Sequence, residues 1–129
     1  MSTRKNVSSG ASWESIVGYS RAVRVGSVIE VAGTTSAKDG EILHVGDPYL
    51  QAKAIIKIAK TALISAGASL SDVVRTRMYV KDISHWEEIG RAHGEYFRDI
   101  KPVTTLVEIS NFVHPDMLVE IEFTARLSE

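Results

Sequence analysis

The chain has 129 residues, no cysteine and a formal net charge of −1, a length that suits one domain. No basic block is present, which removes the electrostatic footprint of a nucleic-acid binder. The missing cysteines exclude disulfides, thiolate metal sites and a Cys nucleophile, and fit a reducing, cytoplasmic setting. No apolar run approaches the roughly 18–20 residues of a membrane span, and the N-terminus lacks a signal-peptide core, so no membrane partner is expected.

Residues 1–17 are polar and Ser-rich, with Trp13, Ile16 and Val17 as the only anchors, and read as an irregular N-terminal arm preceding one domain over 18–129. Arg21–Val25 and Val28–Ala32 flank Gly26-Ser27 and predict a hairpin. No GxGxxG or Walker pattern follows it, so phosphate cradling has no support. Asp47-Pro48 opens a helix that Gly67 stops, with Leu50, Ala54, Ile58, Ala62 and Ala66 as its inner stripe and Lys53, Lys57 and Lys60 largely outside.

Val73–Lys81 predicts a strand with Val74, Thr76, Met78 and Val80 on the core face and Arg75, Arg77, Tyr79 and Lys81 on the other. Ser84 and Glu87 have the spacing of a capping box for a second helix running to about Ile100, with Trp86, Ile89 and His93 turned inward. Two further strands close the chain around a turn at Asn111–Asp116, Val103–Ile109 and Val119–Leu127, both alternating with period 2. Their non-core face is expected to carry Glu108, Glu120 and Glu122. The order predicts an α+β domain, a sheet with hairpins at both ends and both helices on one face. The charged outer face has two readings, a wet surface of cross-strand pairs or a subunit interface.

None of His44, His85, His93 and His114 stands at metal-ligand spacing with another, so no metal site is expected, and His93 reads as a hydrogen-bonded core residue. No G-x-S-x-G elbow is present. Glu120 and Glu122 read either as partners for Arg75 and Arg77 or as a carboxylate placed to deprotonate a water.

In order and spacing, several segments resemble the Rid family, also called YjgF-like or reactive intermediate deaminases, from about Gly18 to Arg126. They are Gly18-Tyr19-Ser20-Arg21-Ala22 (similar to G-P-Y-S-Q-A), Val31-Ala32-Gly33-Thr34-Thr35, Ala66-Gly67-Ala68, Tyr79-Val80-Lys81-Asp82, Pro102-Val103-Thr104-Thr105 and Val119-Glu120-Ile121-Glu122. The resemblance implies a chorismate-mutase-like α+β fold and a homotrimer with clefts between subunits. It also implies cofactor-free hydrolysis of enamines or imines to a carbonyl compound and ammonia. By position it makes Glu120 the residue that assists the attacking water. Tyr19, Gly33, Thr34, Trp86, Thr104 and Thr105 become the substrate-binding set. Two positions depart from the family's pattern. Thr104 stands where a P-A-R-[ST] segment carries the arginine that grips a substrate carboxylate, and Gly90 stands where an Asn is common. A hydroxyl supplies one neutral hydrogen bond where an arginine supplies two charged ones, so weak or no activity on 2-aminoacrylate-type substrates is expected. The alternative is a non-catalytic trimer that binds a small metabolite or a partner through the same clefts.

Overall fold

The structure, a computed structural model, describes residues 3–128. In chain order it contains β1 (Arg4–Val7), β2 (Ala22–Val25), β3 (Val28–Thr34), β4 (Ala37–Lys38), β5 (Glu41–Ile42), α1 (Pro48–Ser65), β6 (Val73–Val80), α2 (Trp86–Phe97), β7 (Val103–Glu108) and β8 (Val119–Arg126). The main sheet has the order β1-β2-β3-β8-β6-β7, and β4 and β5 make a separate ribbon. Every pairing in the main sheet is antiparallel except β6 with β7. Both helices cover one face, as the α+β pattern predicts. Ile29, Val80 and Ile121 from the sheet meet Ile55, Ile56, Leu63 and Ile89 from the helices, all 0% exposed, each side chain stabilising the fold by about 1.5–3 kcal/mol through burial.

The capping signals at both ends of α1 work as its sequence implies. Asp47 accepts the Leu50 N–H at 2.9 Å ahead of Pro48. At the other end Gly67 takes a φ of +89°, which lets Ala68 N–H reach Leu63 O at 2.8 Å and Gly67 N–H reach Ile64 O at 3.0 Å. The buried stripe, however, is Gln51, Ala52, Ile55, Ile56, Ala59, Ala62 and Leu63. Leu50 is 37% exposed. A strict four-residue row drifts around a helix of 3.6 residues per turn, so only Ala62 and Ala66 of the expected stripe stay inside.

Several other expectations are corrected. Arg4–Val7 is not irregular: it is the edge strand β1, paired with β2, and it buries Val7. Of the arm, residues 1 and 2 lie outside the described residues. β7 and β8 do not form a hairpin, because β6 lies between them. Val74 is exposed rather than core, since the ladder of β6 with β8 shifts between Val73 and Arg75 and turns Val73 inward instead. The second helix begins later than a Ser84 cap implies: Asp82 accepts from both Ser84 N and Ser84 Oγ, a short 3-10 turn over Ile83–His85 follows, and Trp86 emerges at the first α2 position 55% exposed.

The largest correction concerns β7. Its pairing sets Thr104 beside Thr76, Leu106 beside Met78 and Glu108 beside Val80, all core-face positions of β6. Leu106 packs on the core and Glu108 accepts the Ile83 N–H at 2.9 Å. Val103, Thr105 and Val107 therefore point to the open face, opposite Arg75, Arg77 and Tyr79. The two faces of β7 are reversed from the expected assignment, a one-residue change of register in a period-2 element.

Candidate active site

The open face of the sheet carries the first group of candidate residues. A helical turn over Glu14–Gly18 delivers Tyr19, whose N–H reaches Glu14 O at 2.9 Å. Glu14 is 6% exposed and Arg21 is 7% exposed, with Arg21 Nε 3.8 Å from the Glu14 carboxylate. Burial opposes ionisation of Glu14, but bonds from Ser9 and Ser8 together with the Arg21 charge outweigh it and hold the carboxyl below its usual value. The Arg21 guanidinium donates to Gly33 O at 2.9 Å, Thr34 Oγ1 at 3.1 Å and Tyr19 Oη at 3.3 Å. One buried cation thus ties Tyr19, the N-terminal turn and the end of β3 together.

Glu120 lies against that end of β3. The β3–β8 ladder shifts between Val31 and Thr34, and a Cβ built at Gly33 would stand 2.5 Å from Glu120 Oε2, so only glycine leaves room for this carboxylate. Glu120 has no hydrogen-bond or ion-pair partner among the described residues, whereas Glu122 accepts from Tyr79 Oη at 3.0 Å and pairs with Arg77 at 3.4 Å. Burial pushes the Glu120 carboxyl above its ordinary value, the neighbouring Glu122 charge adds to the effect, and Arg21 opposes it. A half-buried, unpaired carboxylate of raised basicity is suited to taking a proton from water. The two glutamates therefore differ: Glu122 is the arginine partner and Glu120 is the carboxylate left without one among the described residues. A depression of about 750 Å³ opens alongside, lined by Tyr19, Glu30, Arg75, Arg77 and Glu122 but not by Glu120.

Thr104 belongs to a second group. Its Oγ1 contacts Thr76 Oγ1 and lies 3.3 Å from His93 Nε2, which is also 2.9 Å from Thr76 Oγ1. His93 is therefore the hydrogen-bonded histidine its helix position predicts, and burial holds its pKa below the ordinary value.

The predicted residues consequently fall into separate places. Tyr19, Gly33 and Glu120 gather around Arg21. Thr34 is 2% exposed with its hydroxyl committed to Arg21 and to Ala32 O at 2.8 Å, so it holds the site together rather than offering a free contact. Thr105 is on the open face opposite Arg77. Thr104 is on the helix face, and Trp86 is exposed where α2 begins. Arg75 and Arg77 do not share Thr104's face, and Lys81 Nζ turns to Pro115 O at 3.3 Å, so none of the three supplies a cation beside Thr104 within one chain. Sequence reasoning missed Arg21. The available signal was its place in Tyr19-Ser20-Arg21-Ala22, where the similar pattern has a glutamine. Among the described residues no group of three or more His, Asp or Glu side chains is arranged to hold a metal ion. No helix is long and apolar enough to cross a membrane.

Comparison with known proteins agrees with this architecture. The family model described as endoribonuclease L-PSP matches residues 10–127. An uncharacterized protein of Streptomyces coelicolor is 37% identical over 121 residues, covering 94% of this chain and 90% of that one. The 3-aminoacrylate deaminase RutC of Acinetobacter baylyi is 28% identical over 110 residues, 84% of this chain and 86% of that one. A crystal structure of a YjgF-family member from Mycobacterium tuberculosis is 47% identical, covers 97% of this chain and 100% of its own, and superposes with a TM-score of 0.89. With its six-stranded mixed sheet and two main helices, the chain belongs to the Rid (YjgF-like) family.

Proposed function

We propose that this protein is a cofactor-free hydrolase of enamines or imines, working in clefts between the subunits of a homotrimer. The observation that carries the reading is Glu120: half-buried, unpaired, raised in pKa and held over Gly33. Protonation of an enamine at carbon yields the iminium ion, water adds to its carbon as Glu120 takes a proton from that water, and Glu120 returns the proton to nitrogen. Ammonia then leaves as the carbinolamine hydroxyl gives its proton back to Glu120 and the carbonyl forms, and that proton replaces the one taken up at carbon. A carboxylate whose pKa lies above the usual range is the better for having to act as base and then acid. The deaminase activity named for the Acinetobacter relative supports this class of reaction.

The placement of the two residues supports a cleft built from more than one subunit. Glu120 pairs with Tyr79 and Thr104 with Thr76, on opposite faces of the sheet. Three residues along the strands and two strand spacings across separate their Cα atoms by roughly 14 Å. One small molecule does not touch both within one chain. The exposed apolar groups also occur on different edges: Trp13 (58%), Ile16 (73%) and Val17 (66%) on the N-terminal turn, and Val103 (57%) and Val107 (42%) on β7. Two dissimilar surfaces joined head to tail are what a closed ring of identical copies uses, and in the proposed trimer the Thr104 side of one copy meets the Glu120 side of the next.

Ammonia release from 2-aminoacrylate generated in situ and from imines of simple amines tests the reading. Turnover should be lost in Glu120→Gln, and equal near-background rates for wild type and variant on every substrate would end it. Coexpression of Glu120→Gln with Thr104→Trp should recover part of the activity, because some mixed clefts keep both intact halves. The second reading, a non-catalytic binding trimer, draws on the missing cation at Thr104. A cleft that accepts nothing from a broad metabolite panel would count against it. Ribonuclease chemistry, despite the family model's description, finds little support: Arg77 is paired with Glu122, and the balance of charge is −1, where RNA binding draws on a basic groove.

A further inference from the structure

Three polar atoms meet where β7 runs beside β6 against α2: Thr104 Oγ1, Thr76 Oγ1 and His93 Nε2. Thr76 is 0% exposed, His93 is half-buried, and Thr104 is open on the outermost strand. The ring nitrogen is within hydrogen-bond distance of both hydroxyls, and the hydroxyls contact each other. Three contacts need three hydrogens, but each hydroxyl has one and a neutral ring has one or none at Nε2.

The placement of those hydrogens decides what Thr104 shows to a ligand. With Nε2 bare, the ring accepts from one hydroxyl, the other hydroxyl donates inside the cluster, and Thr104 presents only lone pairs. With hydrogen on Nε2, the ring donates to Thr76, Thr76 donates to Thr104, and the Thr104 hydrogen is free to point outward. No partner among the described residues engages Nδ1, so neither tautomer is imposed. The surroundings of His93 are uncharged: Thr76 from β6, Thr104 from β7 and the Phe97 ring of α2 at 4.7 Å, with burial as the one influence on its titration. The nearby α2 cation Arg91 is stacked 4.4 Å over Tyr49.

We propose that Thr104, oriented by His93 and Thr76, selects ligands that place a neutral group able to both donate and accept hydrogen bonds there, a carboxamide or a hydroxyl rather than a carboxylate. This rests on the cleft reading above and narrows its substrate class. A carboxylate at this point would be desolvated against a neutral hydroxyl and a neutral ring with no cation of the same chain to offset it. An amide loses nothing, because Thr104 reverses its role with the tautomer. Thr104 touches the ligand; His93 is a positioning residue.

The experiment titrates the purified assembly with propionamide and with propionate, following the Thr104 methyl signal and the His93 ring ¹⁵N shifts by NMR. Propionamide should bind about tenfold or more tightly than propionate and should change the tautomer balance of His93. Thr104→Val should lose about three- to tenfold in amide affinity. His93→Leu should lose the amide preference, and His93→Gln, whose amide also donates and accepts, should restore it. Propionate binding as tightly as propionamide, unchanged amide binding in Thr104→Val, or no saturable amide binding would each overturn the proposal. Ammonia release separates the two readings. Glu120-dependent turnover without amide preference removes this inference alone. Amide binding at Thr104 with no turnover of any imine removes the hydrolase and leaves the binding site.

Discussion

Placing an arginine at position 104 is the sharpest test of why this site should ignore carboxylates. Thr104 is exposed on the outermost strand, so a longer side chain can extend from it without displacing the core. Losing the Thr104 hydroxyl orphans nothing buried, because Thr76 Oγ1 keeps His93 Nε2 at 2.9 Å. The stability change should therefore stay within about 0.5 kcal/mol, as for other surface substitutions. The guanidinium adds charge-assisted hydrogen bonds to a substrate carboxylate, about 1.5–3 kcal/mol, or about 10- to 100-fold in kcat/KM. Ammonia release from 2-aminoacrylate should rise by that factor in Thr104→Arg while release from neutral imines stays level or falls. A variant that melts like wild type, keeps its oligomeric state and shows no gain would refute the reasoning, since it would mean that Thr104 does not face the substrate's acid group.

Three further predictions follow from the same geometry. Gly33→Ala should abolish turnover with little loss of stability, because the new methyl would sit 2.5 Å from the flexible end of Glu120 and push the carboxylate aside; paired activity and thermal-melt measurements decide it. Gln51→Met should cost about 2–3 kcal/mol in urea unfolding, since Gln51 is 0% exposed and bonds Asp116 O at 2.9 Å, Leu118 N at 3.0 Å and His44 O at 3.3 Å. His93 has a pKa below its ordinary value when folded, so the unfolded chain binds its proton more readily and stability should fall as pH drops below 6.5; His93→Gln should flatten that decline in urea titrations, and an unchanged slope would contradict it.

What could be read from residue order alone was whatever residue order alone determines. Asp47-Pro48 and Gly67 bound α1 because caps act within a few residues of the backbone groups they satisfy. Alternation located β8 because that strand is central and each of its faces has one neighbour type. The same alternation in β7 carried no information about which face is which: its residues are mostly exposed on both sides, so neither Val103 nor Thr104 announces the core. Its partner was illegible too, because β7 precedes β8 in the chain but lies beside β6 in space. Gln51 and Arg21 are polar groups buried by tertiary contact, with acceptors as far as residues 116 and 33, and no local pattern marks them. Glu120 was singled out through the resemblance. That its carboxylate is left unpaired was not legible, since that depends on Glu122 rather than Glu120 receiving Tyr79 and Arg77.

The position of Arg21 bears on how the site manages charge. A cation beside Glu120 looks at first like a substitute for the one missing at position 104. Its hydrogen bonds argue otherwise: Gly33 O, Thr34 Oγ1, Tyr19 Oη and Ser9 Oγ take its donors, and Glu14 sits 3.8 Å away. A guanidinium so engaged has little left to form the two parallel bonds a ligand carboxylate requires. Its charge still reaches Glu120, where it works against burial and against Glu122. On the proposed reading, the cation tempers the base without gripping the substrate. Removing it should therefore raise the apparent pKa of Glu120-dependent turnover and loosen Tyr19, yet leave unchanged the ranking of neutral over anionic substrates that is proposed for Thr104. An Arg21→Gln variant whose acid limb stays in place, or whose substrate ranking inverts, would assign the cation a different role.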